Sequence, residues 1–249
     1  MSNSVAQFFQ TQADAYSSYF GAQRTGNSFC FRRRLTLACE MGRQGEGTLL
    51  DCATGSGEIT MAVLRSGRFA AAELVDISSN MLARARETAV SLAPQIPCTF
   101  EVSDIFDYLV HAAEAGRSYG MILCLGLIAH TGRLEELLAL VRRCLTPGKG
   151  RLLLQSTLLD HPGTRLARRL RQRRYERRHG YAISYFRLCE LRNAIQRSGM
   201  RIVEERRFGL CLPFGDRICR VGNYYAEQIA QRWAERRGAE ILLAIARDR

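Results

Sequence analysis

Thr48-Leu49-Leu50-Asp51-Cys52-Ala53-Thr54-Gly55-Ser56-Gly57-Glu58 passes from a short apolar run through a glycine-bearing turn into an acid. Residues 48–52 read as a buried strand and 58–66 as the helix that follows, so both glycines fall on a strand-to-helix turn. Glycine lets the backbone pass close to a ligand where a Cβ would collide. Working outward, the rhythm repeats. Strands are expected over 71–76, 97–102, 119–125 and 150–156. Helices are expected over 79–92, opened by Ser78 or Ser79, and over 134–145, stopped by Thr146-Pro147-Gly148. The run 119–125 is apolar throughout, as suits a strand covered on both faces. Strands alternating with helices predict a parallel sheet with right-handed crossovers.

Beyond residue 156 the pattern changes. Residues 161–178 are polar and dense in arginine, 187–198 form an amphipathic helix, and 200–208 and 239–246 read as two more strands. Ile218, Val221, Tyr225, Ile229 and Trp233 recur every three or four residues, predicting one apolar stripe on a long helix, with core packing as its default use and a dimer face or a lipid surface as the alternatives. The expected architecture is a doubly wound, mostly parallel seven-stranded α/β sheet. A helical N-terminal cap over 1–45 precedes a domain over 46–249, with helical insertions at about 160–182 and 213–238.

The 249 residues carry 36 Lys+Arg against 24 Asp+Glu, a net charge of +12. The charge is uneven: residues 1–155 are near neutral at +1, whereas 156–249 hold +11. An anionic partner for the second part follows, unless the arginines only solvate helix faces. No apolar run approaches the ~20 residues a membrane helix needs. No basic residue precedes Arg24, which argues against a secretory signal. Nine cysteines without a CxxC pair suit reduced thiols in a cytoplasmic protein, and four scattered histidines make a catalytic metal a poor expectation.

In a doubly wound sheet, ligands bind at the carboxyl ends of the strands, where the 51–58 turn sits. Asp76 ends the next strand, placed to bind both hydroxyls of a ribose. Asp104 closes the third at the same edge, in reach of an adenine amino group. A dinucleotide would use the same architecture, but its fingerprint requires a third glycine where Ile59 or Met61 stands.

The stretches 49–58, 74–81, 102–104, 119–130 and 145–148, in order and at the expected distances, resemble successive motifs of class I S-adenosylmethionine-dependent methyltransferases. The sequence departs from that pattern in two places: Ala53 stands where glycine is usual, and Gly120 where an acid is common. The resemblance implies a Rossmann-like fold and S-adenosyl-L-methionine as cofactor. It implies that Asp51, Ala53, Gly55 and Gly57 shape the pocket for the amino-acid end, that Asp76 takes the ribose, and that Ile77 and Met81 flank adenine. Asp104 with Ile105 would read the adenine edge, and Leu125 would supply backbone near the methionine moiety.

The stretch Cys124–His130 lacks the Asn/Asp-Pro-Pro-aromatic signature of adenine and glutamine N-methyltransferases. It is similar instead to ubiquinone-type and magnesium-protoporphyrin O-methyltransferases, in which an N-terminal segment covers the cofactor; Tyr16, Tyr19, Arg24 and Arg32-Arg33-Arg34 stand there, with Arg33 or Arg34 facing the cofactor carboxylate. His130 is the candidate general base for an alcohol or phenol, against a purely structural role. Eight arginines lie between Arg165 and Arg178. Of these, Arg168 and Arg169, with His179 and Tyr185, are the expected substrate contacts. The implied reaction is methyl transfer to a small-molecule acceptor, at an oxygen of an anionic intermediate or one presented by an acidic carrier protein. An anionic membrane surface also matches the charge. RNA methylation and a non-catalytic cofactor-binding role are the alternatives. Nucleic acid fits less well, because only Tyr175 and Tyr181 offer stacking surfaces near the arginines.

Overall fold

The computed structural model describes residues 4–11, 23–210, 212 and 214–248. Its centre is one seven-stranded sheet in the order β3-β2-β1-β4-β5-β7-β6. These strands are β1 (Glu46–Asp51), β2 (Arg68–Asp76), β3 (Cys98–Val102), β4 (Met121–Cys124), β5 (Arg151–Thr157), β6 (Met200–Phe208) and β7 (Glu240–Arg247). The first five are mutually parallel, and β7 runs antiparallel to both β5 and β6. The chain order reverses between β1 and β4, which opens a crevice at their carboxyl ends.

Helices α1 (residues 4–11) and α2 (Gly26–Gly42) precede β1. The others within the sheet are α3 (Glu58–Ser66), α4 (Ser79–Leu92), α5 (Ile105–Glu114), α6 (Leu127–Thr131), α7 (Leu134–Cys144), α8 (Pro162–His179) and α9 (Leu188–Arg197). Between β6 and β7 lie α10 (Gly215–Ile218), α11 (Arg220–Ile229) and α12 (Gln231–Arg237). The sheet is covered on both faces. Leu50, Val75, Ile122, Leu152 and Leu243 meet α5, α7 and α9 on one side. Leu49, Leu74, Met121, Leu153 and Leu242 meet α2, α3 and α4 on the other. Through Leu37, Ala38 and Met41, α2 belongs to this second core, so the N-terminal cap is packed into the sheet domain at its second helix.

The departure at Gly120 has a steric cause. A Cβ there would lie 1.8 Å from the Glu46 carbonyl oxygen, so β4 can approach β1 only without a side chain at that position.

Two expectations are corrected and one helix is added. The strand expected over 119–125 pairs regularly only over Met121–Cys124, with Tyr119 left as an isolated bridge to Leu145. The segment after β3 is helical, because the Asp104 carboxylate caps α5 by accepting the Phe106 N–H at 2.9 Å. The long helix through residues 218–233 is three short ones. Its apolar stripe faces out: Ile218 and Ile229 are 82% and 84% exposed. The side of α11 turned inward is polar, with Glu227 accepting the Leu210 N–H at 2.8 and 3.0 Å and Asn223 donating to Asp216 at 2.6 Å.

Candidate active site

A cavity of about 770 Å³ opens over the carboxyl ends of β1, β2, β4 and β5 and the amino end of the antiparallel β7. Its sheet-side floor begins at the glycine turn. The Asp76 carboxylate, at the end of β2, accepts the Gly55 N–H at 2.9 Å on one oxygen and the Ser78 N–H at 2.9 Å on the other. Burial raises the pKa of Asp76, and the N–H donors of Ser78 and Gly55 oppose that rise. Each oxygen keeps a lone pair for a ligand. Cys52, Ala53, Gly55, Ile77, Met81, Ser103 and Leu125 complete this half of the wall.

Asp51 supports the turn from behind. Its carboxylate accepts the Ala53 N–H at 3.2 Å and the Thr60 hydroxyl, and burial pushes its pKa up to about 6 against those two bonds. Gly57 is also behind the wall, packed on Ala85 of α4.

The other half lies beyond β4. Gly126 holds φ 82°, and a Cβ there would point toward Gln155 Oε1 and Arg34 Nη1, at 3.7 and 3.9 Å. Arg34 Nη1 donates to Gln155 Oε1 at 3.2 Å, and Gln155 Nε2 in turn donates to Glu240. Thr157 donates its hydroxyl to the second Glu240 oxygen at 2.7 Å. Burial pushes the Glu240 carboxyl up, opposed by Thr157, the Arg34 charge and Gln155. Two buried polar atoms on this cavity, Arg34 Nε and Thr164 Oγ1, have no hydrogen-bond partner among the described residues. Buried polar groups are rarely left so.

His130, in α6, borders the same cavity. Its Nδ1 lies 3.1 Å from the Tyr181 hydroxyl, which lies 2.7 Å from that of Tyr175. Burial pushes the imidazole down to about 4, so the ring is neutral at pH 7. With Nδ1 held by Tyr181, Nε2 is the nitrogen left for another proton. Phe8, Phe9 and Val5 of α1, Phe31 of α2 and Tyr185 close the cavity with apolar surface. The Phe9 ring stands edge-on to His130 at 4.9 Å between centroids.

Of the expected site residues, Ala53, Gly55, Asp76, Ile77, Met81, Leu125, His130 and Tyr185 therefore meet at one cavity. Others do not. Arg33 points away to an ion pair with Glu235 at 3.0 Å, and Arg34, about 100° further round the helix, faces the cavity instead. Ser103 lines the wall where Asp104 was expected, since Asp104 is spent on its cap, and Ile105 is fully buried in the core. Arg168 and Arg169 line a separate open groove with Asp160, Arg165 and Arg187; Arg171 is the α8 arginine that reaches the cavity. His179 packs edge-on to Phe8 at 4.7 Å, outside the cavity wall. Tyr16 and Tyr19 lie outside the described residues.

Gln155, Thr157 and Glu240 were not expected. Their signal is a polar residue at the cavity end of an otherwise apolar strand, in Leu152-Leu153-Leu154-Gln155 and Glu240-Ile241-Leu242-Leu243.

Residues 22–205 match the family model described as a methyltransferase domain. Among curated proteins no sequence matches. The fold is similar to that of magnesium protoporphyrin IX methyltransferase from Synechocystis PCC 6803, solved with bound SAH (TM-score 0.66, 15% identity, 98% of each chain covered) and with bound SAM (TM-score 0.63, 14% identity, 100% and 98% covered). It is also similar to the cyclopropane synthase MmaA2 from Mycobacterium tuberculosis (TM-score 0.61, 15% identity, 99% and 95% covered). An O-methyltransferase family protein from Burkholderia thailandensis aligns with TM-score 0.66 and 14% identity over 95% of this chain and 59% of that one.

Proposed function

The chain belongs to the methyltransferase domain family, and from that premise we propose that it transfers a methyl group from S-adenosylmethionine to an oxygen of a small, anionic acceptor. The observation that carries this reading is the joining, in one cavity, of a ribose-type acid at a glycine turn with a neutral histidine. The residues present suit the cofactor. Asp76 has lone pairs for two vicinal hydroxyls, Ile77 and Met81 offer apolar faces for a base, and Arg34 keeps an unpartnered buried N–H for a carboxylate. S-Adenosylmethionine, when bound, supplies a methyl carbon made electrophilic by its sulfonium.

The chain's part is then position and proton management. Phe8, Phe9, Phe31 and Tyr185 exclude water from the reacting atoms and enclose an apolar acceptor body. His130 accepts the acceptor's hydroxyl proton at Nε2 as the new carbon–oxygen bond forms, and Tyr181 holds the ring from Nδ1. Glu240, Gln155 and Thr157 orient polar groups of the acceptor, while Arg34 and Arg171 match its negative charge.

The reading is tested by incubating the protein with methyl-labelled S-adenosylmethionine and a cell extract. The expected outcome is label in a low-mass ether or ester. Label confined to RNA or to protein contradicts it.

A further inference from the structure

We propose that the exposed faces of α8 and of α10–α12 form a docking surface for an anionic lipid bilayer. The first observation is the inverted amphipathicity of α11. Its polar residues Asn223 and Glu227 are buried, while Val221, Tyr225 and Ile229 face outward, in line with Ile218 before them and Trp233 after. Of the eleven large hydrophobic residues that stand exposed among the described residues, eight fall between Leu166 and Trp233. A concentration of that kind marks an interaction site more often than chance exposure does.

The second observation is charge. Arg217, Arg220, Arg232, Arg236 and Arg237 flank the stripe and are all exposed. None of them, and none of the eight arginines of α8, has an ion pair among the described residues. The acids of the same segment are already engaged: Asp216 accepts the Gly26 N–H, the buried Glu227 accepts the Leu210 N–H, and the exposed Glu235 is paired with Arg33. The outward charge of α10–α12 left without an ion pair among the described residues is therefore cationic.

The two elements adjoin. The His161 ring, which caps α8, lies 6.1 Å from Trp233, and Arg171 of α8 sits over the Phe214 ring at 4.2 Å. On α8, Thr164, Ala167 and Arg171 wall the cavity, while Leu166 and Leu170 are exposed among Arg169, Arg173 and Arg177 on the far side. Apolar side chains set among unpaired arginines, with the chain's single tryptophan at one end, suit acyl chains beneath phosphate headgroups. A second copy of this chain is the poorer occupant, since a two-fold contact would set the same arginines against each other.

Vesicle binding needs neither cofactor nor turnover, so its outcome is independent of the methyl-transfer reading. The test is sedimentation of the full chain with vesicles of phosphatidylcholine alone and of phosphatidylcholine with 40% phosphatidylglycerol, read also by Trp233 fluorescence. We expect partition onto the anionic vesicles only, a blue shift of the emission, and at least tenfold weaker partition for Ile218→Ser/Ile229→Ser at an unchanged melting temperature. Replacing Arg217, Arg232 and Arg236 with glutamine should weaken partition at low salt by a similar factor. Absence of partition onto anionic vesicles overturns the proposal. So does equal partition by the serine variant, or a dimer that the serine changes dissociate.

Discussion

The carboxylate of Asp76 accepts the backbone N–H of Gly55 at 2.9 Å, joining the tip of β2 to the glycine turn that follows β1. One side chain thus fixes the turn and offers its remaining lone pairs to a ligand. The turn cannot shift without releasing the acid, which is how two strands present a single binding edge.

Replacing that acid separates the two roles. Asp76→Asn keeps one acceptor oxygen for the backbone but loses half of the hydroxyl-binding capacity. S-Adenosylmethionine affinity should fall by at least tenfold, with a melting temperature within a few degrees of the parent, as calorimetry and a thermal melt would report.

His130 should matter to turnover rather than to binding. His130→Ala is expected to lower kcat by ~100-fold or more with cofactor affinity retained. Because burial holds the ring near a pKa of about 4, the parent's kcat should be flat from pH 6 to 8 and fall only below about pH 5. An activity profile rising through pH 6.5, the value of an unperturbed histidine, would contradict the buried neutral base.

Asp51 gives a stability test with a definite sign. Burial raises its pKa from the ordinary aspartate value of 3.8 to about 6, so the folded chain holds this proton more tightly than the unfolded one. The resulting stabilisation is full below pH 3.8 and is lost as pH rises through 6. Asp51→Asn, uncharged throughout, should raise the melting temperature at pH 8 by about 2–4 °C and give no advantage at pH 4.

The acceptor side rests on Glu240. Glu240→Gln removes the carboxylate shared by Gln155 and Thr157, and the KM for the acceptor should rise by roughly tenfold while cofactor affinity stays put. Arg168→Gln/Arg169→Gln, in the separate groove, should leave both constants unchanged.

Where the sequence was readable, local chemistry decided the outcome. Helix α3 begins at Glu58 and α4 at Ser79, as the glycine turn and the Ser78 cap required, and β6 spans 200–208 after Gly199 ends the preceding helical run. Asp104 is harder to read, because an acid at a strand end has two uses, and in the structure its carboxylate caps α5. Arg33 and Arg34 are adjacent in sequence yet about 100° apart on α2, so only packing against α12 distinguishes them. The stripe from Ile218 to Trp233 is legible as a stripe, but periodicity carries no information about which side the core takes. Here the buried bonds of Asn223 and Glu227 turned it outward. The Glu240 cluster joins residues about 85 positions apart, a pairing that only the antiparallel return of β7 beside β5 creates.

The measurement closest to the central claim is an isothermal titration of the parent and Asp76→Asn with S-adenosylmethionine, each shown to be folded by a thermal melt. One saturable site is expected in the parent, with affinity at least tenfold weaker in the variant. No binding to the folded parent, or equal affinity in both, would contradict that claim.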